Sequence, residues 1–147
     1  MNRPIVELSG IGHYAPHRVL RNHEFAAMGL DTNHEWIVDR TGICERRIAG
    51  PTDTTASMAA NASRTAMQRA GVAANDLDVI ILSTATPDRL LPATAVDLQA
   101  ELGAERSAAF DIGAACSGFL YGLAIAEGLI ASGSAETALV ASSEKMS

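Results

Sequence analysis

The chain has 147 residues, of which 48% are apolar, 19% charged and only 4% aromatic. That is long enough for one domain with a real core, and too apolar for a disordered segment. Eleven basic against seventeen acidic residues leave a net charge of −6, without the basic face that nucleic-acid binding requires.

In chain order, Pro4 to Gly10 reads as a strand, and Pro16 bars a regular helix from the turn that follows. Asn22 is placed to cap a short helix ended by Gly29. Asp31 to Asn33 are placed to cap a second, ended by Gly42. Asp53, Thr54 and Thr55 precede a long alanine-rich helix to Ala70, closed by Gly71. Leu77 to Thr84 is a continuous apolar run, the pattern of a strand covered on both faces. Pro92 suits the first turn of the next helix, which Gly103 ends. Ser107 to Asp111 reads as a second central strand. Cys116 to Ser132 reads as an apolar helix closed by Gly133, and Glu136 to Ser142 as a third central strand. Alternation of this kind predicts an α/β fold with a mostly parallel sheet and helices on both faces. The apolar stretch from Gly118 to Ile130 is interrupted by Glu127 and falls short of the roughly 20 residues a bilayer span needs. It is therefore expected to be a buried helix.

Several motifs resolve to ordinary structure. Gly10, Gly12 and Ala15 have the spacing of a dinucleotide-binding turn, but that turn must open directly into a helix, and Pro16 stands in the way. The four histidines, at 13, 17, 23 and 34, have no convergent cysteine partners, so no metal site is expected. Cys44 and Cys116 are too few for a disulfide framework. With no recognisable secretory leader, they imply a reducing, cytoplasmic setting.

Cys116 stands apart. A free cysteine is often just a small buried hydrophobe. This one falls where a strand runs into a helix, beyond the strand's carboxyl end, the edge at which open α/β sheets bind ligands. The partial positive charge of a helix N-terminus favours a thiolate. Gly113, Ala114, Ala115, Ser117 and Gly118 leave room for a sharp turn, for close approach of a substrate, and for backbone N–H groups to hold an oxyanion. A nucleophile needs a proton acceptor, yet no histidine follows His34. A cysteine hydrolase is thereby disfavoured: Ala114 to Gly118 also lacks the first glycine of the G-x-S-x-G pattern. Gly118, Gly122 and Ala126 recur every fourth residue, which close packing on the sheet explains in part. Three in register suggest a closely approaching helix from elsewhere.

The stretches 34–49 (HEWIVDRTGICERRIA), 90–103 (LLPATAVDLQAELG) and 110–133 (FDIGAACSGFLYGLAIAEGLIASG) resemble the ketoacyl-ACP synthase III family, the initiating condensing enzymes of fatty-acid synthesis within the thiolase superfamily. The resemblance implies two similar α/β halves with helices between two sheets. By the same resemblance, residues 1–147 would correspond to an N-terminal half-domain that is incomplete at its C-terminal side. It further implies that Cys116 accepts an acyl group from acyl-CoA and that decarboxylation of malonyl-ACP supplies the attacking carbanion. Trp36 would stack on the CoA adenine, Arg40 would meet the CoA nucleotide, and Thr32 would line the same entrance. Leu91 would reach into the acyl pocket of the partner in a homodimer. Coenzyme A enters as a thioester substrate, with no resident cofactor, metal, nucleic acid or membrane. The family's decarboxylation histidine and asparagine belong to the second half, so the chain alone is expected not to condense. Cys44, where the family usually carries a basic residue, is taken as incidental. A polyketide-type starter enzyme and a non-catalytic module pairing through Gly118, Gly122 and Ala126 are the alternatives.

Overall fold

A computed structural model describes residues 5–147. They form two compact units: residues 54–146 with the N-terminal segment up to Tyr14, and residues 15–53 with Ser147.

The larger unit is a three-layer sandwich. Its sheet has three parallel strands in the order β4-β3-β5, with β3 Val79–Ser83, β4 Ala108–Ile112 and β5 Ala138–Ser142. Every residue of β3 is buried. Alternation along the strands sends Ile80, Leu82, Leu139 and Ala141 to one face, against α3 (Thr55–Ala70) and α4 (Thr94–Leu102). It sends Val79, Ile81 and Val140 to the other, against α5 (Gly118–Ala131). A central parallel strand buried on both faces has to be apolar throughout, which is why the run at 77–84 is legible in the sequence. The runs at β4 and β5 were also expected to be central, but each borders the sheet formed by the described residues.

Helix ends follow their capping residues. Thr54 Oγ1 accepts from the Ser57 N–H at 2.9 Å, and Gly71 and Gly103 end α3 and α4 in the left-handed region. Two expectations fail. Pro92 lies outside α4, which is preceded by Ala93 and begins at Thr94, and the Leu91–Pro92 bond is cis. Residues 5–10 form no strand. Gly10 and Gly12 instead lie against α3 so closely that a Cβ there would sit 2.3 Å from the Ala66 carbonyl oxygen and 2.1 Å from that of Ala62. Arg69 also donates to the Ile11 carbonyl, at 2.8 Å. The two glycines serve close approach to a helix, and no helix follows them. A cavity of about 420 Å³ is bordered by residues 6–12, α3, α5 and β5.

The smaller unit pairs β1 (Arg18–Arg21) antiparallel with β2 (Glu45–Ile48) and carries α1 (Asn22–Ala27) and α2 (His34–Thr41). Asn22 does not cap α1: Arg21 holds the cap position, and Asn22 is the first residue inside the helix. Its fully buried side chain donates to the Ile43 carbonyl at 2.7 Å and accepts from Arg46 at 2.7 Å. Asn33 caps α2 through the Trp36 N–H at 2.8 Å, and Gly42 closes it at φ 70°, as the sequence predicts.

Candidate active site

β4 leads through Gly113 and Ala114 into one turn of 3₁₀ helix, Ala115–Ser117, and then α5. Cys116 is exposed in that turn. Ala115, immediately before it, has φ +43°. A residue with a Cβ pays for the left-handed region, of the order of 1 kcal/mol, and such strain persists only where the surroundings impose it. Here β4 and α5 impose it from both sides, and the strain falls beside the thiol.

What seats α5 is the small-residue stripe, in a way that corrects the expectation of a helix partner. A Cβ on Gly118 would lie 1.7 Å from Ser83 Oγ, and one on Gly122 would lie 2.7 Å from Val140 Cγ1. Gly118, Gly122 and Ala126 are the buried residues of α5 and face the sheet. The opposite side exposes Leu120 (66%) and Tyr121 (57%), with Phe119 and Ile125 beside them. The apolar helix is therefore buried on one side, not all round. Ser83 itself is buried, and its hydroxyl has no hydrogen-bond partner.

The segment after β3 is held by carboxylates. Glu144 accepts from the Ala85 N–H at 2.8 Å and from Thr86 Oγ1 at 2.6 Å. Asp88 takes the first N–H groups of α3, Thr55 at 2.8 Å and Ala56 at 2.9 Å. Asp111, on β4, takes those of α4, Thr94 at 2.8 Å and Ala95 at 2.7 Å. Between them Leu90 and Leu91 project into solvent, 88% and 80% exposed. None of the three carboxylates was singled out in the sequence. The available signal was an acid in an otherwise apolar strand at Asp111, since acids are seldom buried without partners.

Trp36 and Arg40 lie one turn apart on α2, in the smaller unit. The Arg40 guanidinium carbon sits 4.8 Å from the centre of the indole ring, a cation–π stack that leaves Trp36 54% exposed. Thr32, just before the helix, has a buried hydroxyl without a partner. Cys44 is exposed, and its carbonyl accepts from the Asn22 N–H at 3.4 Å. Among the described residues no three His, Cys, Asp or Glu side chains are grouped as metal ligands, and no helix is long and apolar enough to cross a membrane.

A parallel three-layer α/β unit with a cysteine turn at the head of an apolar helix has the thiolase-like fold, and the solved structures agree. The chain superposes on the 3-oxoacyl-[acyl-carrier-protein] synthase III of Aquifex aeolicus with a TM-score of 0.90 at 47% identity, covering 93% of this chain and 44% of that one. It superposes on the priming β-ketosynthase of the R1128 polyketide pathway with a TM-score of 0.91 at 40% identity, covering 95% and 41%. Residues 110–147 match the family model for 3-oxoacyl-[acyl-carrier-protein (ACP)] synthase III. The β-ketoacyl-[acyl-carrier-protein] synthase III of Rhodospirillum centenum is 51% identical over 138 residues, 94% of this chain and 42% of the relative. Over the length it spans, the chain is similar to β-ketoacyl-ACP synthase III enzymes. It spans less than half the length of the curated relatives it matches.

Proposed function

We propose that Cys116 is an acyl acceptor: its sulfur attacks the carbonyl of an acyl-CoA, CoA thiol leaves, and an acyl-cysteine thioester remains. The observation that carries this reading is the exposed thiol on a strained turn at the head of α5. Backbone N–H groups of that turn are the candidate oxyanion donors. Trp36 offers a flat face to adenine, and Arg40 a guanidinium to CoA phosphate. Leu91 sets the depth of the acyl pocket, and coenzyme A is substrate rather than resident cofactor. In the complete enzyme, which we read as a homodimer, malonyl-ACP would then bind and decarboxylate, and its carbanion would displace the cysteine in a Claisen condensation that starts fatty-acid synthesis. This chain corresponds to the first half of such an enzyme. With no histidine after His34, it acylates but does not condense. A starter-unit role in polyketide synthesis is a second reading, supported by the superposition on the R1128 priming ketosynthase.

Incubation with acetyl-CoA followed by peptide mass spectrometry is the test. The expected result is an acetyl adduct on Cys116 and none on Cys44, lost in Cys116→Ala. Folded protein without the adduct would overturn the reading.

A further inference from the structure

We propose that Asp111 is a positioning residue, locking the Leu91 loop to the strand that carries Cys116, so that acyl-chain selectivity depends on a carboxylate that touches neither acyl group nor thiol. The selectivity part rests on the acyl-cysteine reading above; the lock does not.

The first turn of a helix leaves backbone N–H groups without intrahelical partners. At α4 the residue in the cap position is Ala93, whose side chain has nothing to offer them. The Thr94 hydroxyl is buried and without a hydrogen-bond partner. Asp111 does the capping from another element, one carboxylate oxygen to each N–H. Such bonds are charge-assisted and stronger than a neutral cap. The other end of the loop is tied by Asp88 to the start of α3 and by an Arg89–Asp97 ion pair. An exposed leucine tip on a frame fixed at both ends is already ordered before it meets an apolar partner, which lowers the entropy cost of insertion. Asp111 is five residues before Cys116 and two before Gly113, at the start of the reactive turn. One side chain thereby ties the leucine tip to the strand that leads into the reactive turn, and in the homodimer read above the tip so held is the one that enters the partner's acyl pocket.

A cap that only stabilises α4 can be replaced locally; a lock cannot. The test compares wild type, Asp111→Asn, Asp111→Asn with Ala93→Ser, and Leu91→Ala. Ala93→Ser supplies a side-chain cap within α4. Amide hydrogen exchange of Asp111→Asn should rise about tenfold across 89–95 and stay unchanged in β3 and α5, a size set by losing a charge-assisted cap. Ala93→Ser should recover the melting temperature but not the protection of 89–92. The ratio of Cys116 acylation by hexanoyl-CoA to that by acetyl-CoA should move at least about threefold in Asp111→Asn, the scale of a small change in pocket contact, and in the same direction as in Leu91→Ala. Full recovery by Ala93→Ser, or unchanged exchange in folded Asp111→Asn, overturns the lock. A ratio that moves in Leu91→Ala but not in Asp111→Asn overturns the selectivity role. A ratio unmoved in Leu91→Ala, or wild type without adduct, overturns instead the reading of the pocket on which that role rests, and exchange alone then decides the lock.

Discussion

The two compact units are stabilised in different ways. In the larger one, β3 is wholly buried and packs on both faces, with Ile80, Ile81 and Leu82 at zero exposure. In the smaller one, the buried residues are Leu20, Asn22 and Ile37, and the centre is a polar side chain bonded to the Ile43 carbonyl and Arg46. One unit rests on apolar burial, which is non-directional and scales with area. The other rests on a hydrogen-bonded hub, where removing one member strands the rest. The first tolerates conservative volume changes; the second tolerates few chemical ones.

Truncation in the apolar unit should have the largest effect. Ile81→Ala should cost about 2–5 kcal/mol, read as a loss in denaturant midpoint; a loss below about 1 kcal/mol would contradict the burial of β3 on both faces. Next comes Gly118→Ala, whose methyl meets Ser83 Oγ at 1.7 Å. Forcing a group into a packed site costs about 1–3 kcal/mol, and Ser83→Ala should recover part of it in the double mutant. A neutral Gly118→Ala would mean that α5 does not sit this close to the sheet. Asn22→Ala should cost about 1–3 kcal/mol through the stranded partners, and faster hydrogen exchange should appear in residues 18–48 first. Uniform loss across both units would erase the contrast between them.

The smallest effect concerns acid. Backbone N–H groups of Glu136 and Thr137, with some help from Arg106, hold the Asp78 carboxyl below its usual value of 3.8. A depressed carboxyl stabilises the fold above its unfolded pKa, and that contribution is lost as pH falls through the folded one. Asp78→Asn should therefore lower stability slightly at neutral pH, where the carboxylate contributes, and flatten the acid limb of a stability profile below about pH 4. A mutant acid limb as steep as wild type would remove the effect.

Much of the fold is legible in local chemistry. The caps at Asn33 and Thr54 and the left-handed glycines 42, 71, 103 and 133 mark helix ends, because capping is a property of a few adjacent residues. The antiparallel pairing of β1 with β2 across α1 and α2 is not legible in the sequence. Its strands, RVLR and ERRI, are short and charged, and their pairing joins residues from Arg21 and Glu45 out to Arg18 and Ile48, well beyond any local pattern. The run at 4–10 has the composition of a strand, but composition cannot supply a neighbour to bond to. Cys116 was legible for a different reason. Its signal is a run of small residues between an apolar strand and an apolar helix, and all of it is local.

By itself, then, the sequence determined the alternation of elements, the central strand and the cysteine at the strand–helix junction, since each follows from periodicity or turn chemistry within a dozen residues. Only the tertiary structure decided which way α5 faces. Gly118, Gly122 and Ala126 make one stripe and Leu120, Tyr121 and Ile125 another, and both are compatible with burial. The sheet takes the first because only residues without bulk let the helix approach Ser83 and Val140. The tertiary structure also decided that Asp111 caps a helix sixteen and seventeen residues earlier in the chain, a pairing that depends on where the backbone returns and that no local pattern encodes.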